Sequence, residues 1–285
     1  MSRAEAGAEP RPAGPATLRL LGSELGILFR RWRTWAMFGA LAAVPVLIGL
    51  AVRFSGRPPS GRGPAFLNQV TENGLFVGVV ALVVCTPLFL PLTVSVVSGD
   101  TIAGEASLGT LRYLLVAPAG RVRLLAVKYA STALFCVAAP LAVVLGGTAT
   151  GLVLFPLGQA TLLSGAVIGP GEAFGRLLLM AGYSAVSLLG LAAIGLFAST
   201  LTGVPVGAMA ATAVLAVVSQ ILGALDQLEW LHPWLFTHHW LGLADFLREP
   251  VAWDSLGQNA LLQAGYAAFF AALAYGRFTT KDILA

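Results

Sequence analysis

The sequence predicts an all-α, polytopic membrane protein. It has six transmembrane helices, an amphipathic interfacial helix ahead of the first, and a short cytoplasmic helix between the second and third. Two observations carry this. Hydrophobic residues make up 57% of the 285 positions and charged residues only 11%, whereas a soluble domain has roughly a quarter of its residues charged. The apolar residues also fall in uninterrupted runs near the ~20 residues that a helix needs to cross a bilayer. A chain with so few charges cannot cover a water-facing globule, but it can cover a surface facing lipid.

The runs lie at 34–52, 74–97, 127–154, 175–200, 204–224 and 257–276. Spans four and five are joined by "TLTGVP", where Gly203 and Pro205 break the helix. Pro87 and Pro91 in span two, and Pro140 in span three, remove backbone donors and are expected to kink those helices or open their hydrogen-bond ladders. Gly182, Gly190 and Gly195, with Gly203 and Gly207, are spaced to let helices pack closely.

Basic residues set the expected orientation. With both termini inside, twelve Lys and Arg face the cytoplasm (Arg3, Arg11, Arg19, Arg30, Arg31, Arg33, Arg112, Arg121, Arg123, Lys128, Arg277 and Lys281) and five face out. This inside excess accounts for the net charge of +4, and no soluble basic-aromatic face points to nucleic acid. The chain divides into a cytoplasmic tail, residues 1–17, and a membrane domain, residues 18–285. The tail "MSRAEAGAEPRPAGPAT" has the Ala, Pro, Gly and charge content of a disordered segment and lacks the apolar core of a signal peptide. In "LRLLGSELGILFRRWRTW", Leu18, Leu21, Leu25, Leu28, Phe29 and Trp32 recur at helical spacing opposite Arg19, Ser23 and Arg30. A helix of this kind lies along a leaflet, anchored by Arg30, Arg31 and Arg33 with Trp32 and Trp35.

On the outer side, 53–74 and 155–174 read as Gly-rich irregular loops. The long loop before span six carries Trp230, Trp234, Trp240 and Trp253, which suit the headgroup layer, with Pro233 and Pro250 breaking one or two short helices. Its His232, His238 and His239 stand too close in sequence, with no second cluster, to read as a metal site. Cys85 and Cys136 fall inside spans and read as small hydrophobes. The six spans hold essentially no acids of the kind a proton relay uses. "GDTIAGEA" has the glycine spacing of a phosphate loop, but Glu105 and Ala106 stand where Lys and Ser/Thr are required. ATP is therefore not expected to be hydrolysed by this chain.

The charged stretch "SGDTIAGEASLGTLRYLLVAPAGRVRLLAVKY", residues 98–129, stands out between two apolar spans. Asp100 can cap a helix whose one face holds Ile102, Leu108, Leu111 and Leu115, with Glu105 and Arg112 on another and Pro118 and Gly120 at its end. Such a helix either floats on the inner leaflet or docks into a cytoplasmic partner.

This stretch resembles the region after the second span in permeases of the type-two ATP-binding cassette (ABC) exporter family. The resemblance rests on Gly104-Glu105, Gly109-Thr110-Leu111, Leu114-Leu115, Pro118, Arg121 with Arg123, and Lys128, together with the six-span topology and the "GRFTTKDI" tail. It implies an exporter permease in a bacterial inner membrane. Asp100, Gly104, Glu105, Leu108, Gly109, Thr110, Leu111, Arg112 and Leu115 would then form a coupling helix docked on a separate ABC ATPase subunit. Leu21, Leu25, Leu28, Arg30 and Arg31 would form a connecting helix, and Trp230, Pro233, Trp234 and Trp240 an extracellular gate loop. It also implies a second permease copy or paralogue, as a homo- or heterodimer. ATP and Mg would be held by the partner ATPase, with no cofactor, metal or catalytic residue in this chain. The alternatives are a membrane scaffold or signalling subunit without transport, or an intramembrane enzyme using the outer-loop histidines. The apolar interior suits a hydrophobic or amphipathic cargo.

Overall fold

The computed structural model describes residues 14–55, 73–109, 120–162, 164–251 and 253–280. Helix α1, Gly14–Arg30, is followed without a loop by α2, Trp32–Ser55. The sequence "RRWRTW" makes this joint. Thr34 Oγ1 donates to the Leu28 carbonyl at 2.6 Å and Trp35 Nε1 to the Phe29 carbonyl at 2.8 Å, so side chains of α2 satisfy carbonyls that the end of α1 would leave open. The predicted helix ahead of span one is therefore present. It already includes Gly14 to Thr17, the last part of the predicted tail, while residues 1–13 lie outside the described residues.

The second predicted span is broken, as its prolines require. Helix α3, Leu75–Cys85, and α4, Phe89–Ser107, meet at a bend of 58° around Pro87. Helix α5, Arg121–Leu154, in contrast stays one helix through Pro140. The next predicted run is also divided, into α6, Pro170–Ser187, and α7, Leu189–Leu201. Then α8, Pro205–Gly223, follows the short turn read from "TLTGVP". Two 3-10 helices, Asp226–Trp234 and Trp240–Leu247, form a cap before the last helix, α9, Trp253–Thr280.

Two features bear on the expectation of six spans in an all-α fold. A small antiparallel hairpin, β1 (Ala160–Thr161) with β2 (Val167–Ile168), occupies the second outer loop, turning at Gly165 with φ 82°. Ala160, Leu162 and Ile168 sink into the core, so the loop plugs the bundle. Among the described residues four helical segments are long and apolar enough to cross a membrane: Trp32–Phe54, Arg121–Leu154, Pro170–Leu201 and Pro205–Gly223, or five if the bent α3–α4 pair is counted as one span. The predicted sixth span is helical within α9 but is not among them. Its Gln258, Asn259 and Gln263 lower its apolarity, and Asn259 and Gln263 turn inward. Asn259 Nδ2 donates to Ser187 Oγ at 2.8 Å, and Gln263 Nε2 to the Phe236 carbonyl at 2.8 Å. The fold is thus mostly helical, with four or five candidate spans among the described residues, an arrangement compatible with a multi-pass membrane protein.

Glycine governs the tightest contact. Gly74 and Gly78 on one side face Gly147 and Gly151 of α5, four residues apart in each pair, and a Cβ on Gly147 or Gly151 would overlap the opposing backbone. The expected close-packing glycines are only partly involved. Gly190 lies against Gln263 and Gly195 against Ser98, but a side chain at Gly182, Gly203 or Gly207 would meet nothing within 4 Å. Beside Gly195, Ser199 Oγ accepts from the backbone N–H of both Ile102 and Ala103 at 2.8 Å, inserting α7 into the hydrogen-bond ladder of α4.

Gly147→Ala is expected to lower stability by about 1–3 kcal/mol, as overpacking does. Gly182→Ala is neutral or stabilising by about 0.5–1 kcal/mol, since alanine outranks glycine inside a helix. Thermal unfolding of the detergent-solubilised protein, followed by far-UV circular dichroism, compares the two.

Candidate functional site: an ion cluster joining α1, α2, α4 and α5

At one end of the bundle six charged side chains meet. Helix α1 contributes Glu24, the α1–α2 joint Arg31 and Arg33, α4 Asp100 and Glu105, and α5 Lys128. From Tyr129 to Leu154 α5 has no charged residue, a stretch of about 39 Å at 1.5 Å per residue that exceeds the ~30 Å hydrocarbon layer. Lys128 therefore sits where the apolar part of α5 ends.

Lys128 is the centre of one half of the cluster. It is 2% exposed, and its Nζ lies 3.3 Å from both carboxylate oxygens of Glu24 and 3.6 Å from Glu105 Oε1. A buried ammonium persists only with such partners. In the other half, Arg31 and Arg33 both donate to Asp100 Oδ2, Arg33 at 2.7 Å. Thr34, Thr101, Ser131 and Thr132 complete the walls of a cavity of about 40 Å³, room for ordered water between the two halves.

These positions correct the reading of 98–118 as one separate helix. Asp100 caps nothing: it lies inside α4, which runs on to Ser107, so no open N–H faces it and it accepts from arginines instead. Ile102 is buried with Leu124, Leu125, Leu196, Ala274 and Phe278 rather than offered to a partner. Gly104 is buried against Asp100, and Glu105 points inward at Lys128. Leu108, 71% exposed, and Gly109, at φ 69°, close the helix with their N–H groups on the Gly104 and Ala106 carbonyls. Gly120, at φ 72°, opens α5 rather than ending an earlier helix. Thr110, Leu111, Arg112, Leu115 and Pro118 lie outside the described residues. In α1, Leu21, Leu25 and Leu28 are half-buried, Arg30 is exposed, and Glu24, which hydrophobic spacing alone did not single out, is the residue that meets Lys128.

The opposite end carries the cap. Trp230, Pro233 and Trp234 are exposed. Trp240 is not: it is 2% exposed, with Nε1 donating to the Ser187 carbonyl at 2.9 Å, because the α6–α7 break frees that acceptor. Arg176 is one of the five basic residues expected on the outer side. It proves to be the main polar tie of the cap, donating to Glu172 at 2.8 Å, to Glu249, and to the Phe246 and Arg248 carbonyls at 3.2 and 2.8 Å. The His238 and His239 rings lie 4.7 Å apart. Burial holds both imidazoles below their ordinary range, helped by His232 beside His238 and by His238 beside His239. Among the described residues no group of three or more His, Cys, Asp and Glu is placed to hold a metal. Between cap and α9 runs an apolar groove of about 900 Å³ past Trp234, Leu261, Tyr266 and Phe269.

A family model matches residues 52–284, from the end of α2 through α9, and so covers Asp100, Glu105, Lys128 and the whole cap. This chain belongs to the DUF2705 family. The family is described as proteins of unknown function. No curated protein matches the chain. The resemblance of 98–129 to type-two ABC permeases is accordingly corrected, since the matching family is DUF2705 and no type-two ABC permease family matches. The motif residues explain why the likeness misled: in this DUF2705 protein Gly104 and Glu105 serve an internal ion cluster. Glu24, Arg31 and Arg33 precede the matched region, so the cluster joins it to the N-terminal part of the chain.

Lys128→Met is expected to destabilise the protein by about 3–5 kcal/mol, because Glu24 is left largely buried without its cation. Adding Glu24→Gln to that variant removes the stranded charge and restores most of the loss. The melting temperatures of wild type, single and double variants in detergent measure this.

Proposed function

We propose that this protein is the membrane subunit of a transport system driven by a separate nucleotide-hydrolysing partner that engages the chain between α4 and α5 on the cytoplasmic side. The carrying observation is the burial of Lys128 between Glu24 of α1 and Glu105 of α4. Through it, the helices on both sides of 110–119 are locked to each other and to α1, so force applied at that segment moves them as a unit. The unit includes α4, the lower half of the span bent by 58°, so a displacement at the cluster end reaches the middle of the bundle. The sequence has no Lys-Ser/Thr phosphate loop of its own, so in this reading ATP and Mg belong to the partner. The excess of basic residues at this end supports an inside orientation of both termini, in a bacterial inner membrane.

Glu105 faces inward, so it is a poor probe of docking. Leu108, exposed at the end of α4, is a better one. Tagged protein purified from gently solubilised native membranes is expected to bring down an ATPase, and Leu108→Asp to lose it while keeping the wild-type melting temperature. Recovery of the intact protein without any ATPase would refute the reading and leave a scaffold role in front.

A further inference from the structure

The half of the ion cluster built on Asp100 is unevenly matched. Arg31 and Arg33 converge on one oxygen of one carboxylate, although each guanidinium fork offers several N–H donors and pairs best with two oxygens at once. The side chains of Arg31 and Arg33 remain 40% and 44% exposed, whereas that of Asp100 is 12% exposed. The arginines therefore present their remaining donors outward while the acid holds them from within.

Their surroundings say what lies on that outer side. Trp32 is 84% and Trp35 59% exposed, and both flank the arginines at the first turn of α2. That helix continues directly into the apolar stretch Trp32–Phe54. Indole rings exposed at the start of a membrane helix sit at headgroup depth. Two guanidiniums at the same level face a layer of phosphates, the oxygen-rich anion that their geometry fits.

We propose that Arg31 and Arg33 form a binding site for the headgroup phosphate of an anionic phospholipid, which competes with Asp100 for the two guanidiniums. When the lipid is bound, the arginines turn out to the phosphate and Asp100 is released, loosening the tie between the α1–α2 joint and α4. The half of the cluster around Lys128 is untouched, so α1 stays attached through Glu24. The site depends on the composition of the membrane and not on any partner protein, and it stands whether or not the chain transports.

The competition gives the test its sign. Full-length protein in mixed micelles is titrated with phosphatidylglycerol, phosphatidylcholine or inorganic phosphate, and melting temperature and lipid retention by native mass spectrometry are read. Phosphatidylglycerol is expected to bind saturably and phosphatidylcholine and inorganic phosphate not to. Asp100→Asn, which removes the internal competitor, is expected to tighten phosphatidylglycerol binding about tenfold, the change that ~1.4 kcal/mol of lost competition produces. Arg31→Gln with Arg33→Gln abolishes the preference for phosphatidylglycerol, while Arg19→Gln, at an exposed position of α1, preserves it. Equal binding of the two lipids, binding of inorganic phosphate in place of lipid, or an Asp100→Asn variant with unchanged or weaker phosphatidylglycerol affinity would overturn the proposal.

Discussion

Lys128 is 2% exposed at the end of a largely apolar helix bundle, and an ammonium in that position is tolerated only where carboxylates surround it. Much of the architecture at that end follows from this requirement. Helix α1 must lie close enough to α5 to bring Glu24 to it, and α4 must stay helical past Asp100 to bring Glu105 to it. The first part of a segment read as a detachable amphipathic helix, up to Ser107, thereby becomes the end of α4. The same electrostatic demand accounts for Asp100, whose charge is met by Arg31 and Arg33 from the α1–α2 joint.

Close backbone contact holds the other helices together in a different way. Between helices facing lipid no hydrophobic gain distinguishes helix from solvent, so packing and hydrogen bonds must carry association. The Gly74–Gly78 and Gly147–Gly151 pairs let α5 touch the start of α3 backbone to backbone, and Ser199 takes two amides of α4. Both contacts fall on the two halves of the bent span. The bend at Pro87 thus separates a half held by shape from a half held by hydrogen bonds and charge.

The cap at the other end follows the logic of satisfied polar groups. Arg176, Trp240, Asn259 and Gln263 each meet a backbone carbonyl or side-chain oxygen at a helix break or 3-10 segment. Irregular backbone at such depth is stable only when buried protein groups take its hydrogen bonds. This explains why the last helix carries amides and is less apolar than a lipid-facing span.

The membrane class, the amphipathic α1, the break at Pro87, the turn before Pro205 and the short helices of the cap were all legible in the sequence. Each depends on composition, period or a local backbone constraint that acts within a few residues. The inward turn of Glu105, the burial of Trp240 and the contacts of Arg176 were not. A carboxylate on a helix reads the same whether it faces water or a lysine 23 positions away, and an indole reads the same at a membrane surface or in a core. Only the tertiary structure brings Glu24, Glu105 and Lys128 together, because burial of a charge is decided by partners distant in sequence, whereas helix formation is decided by neighbours.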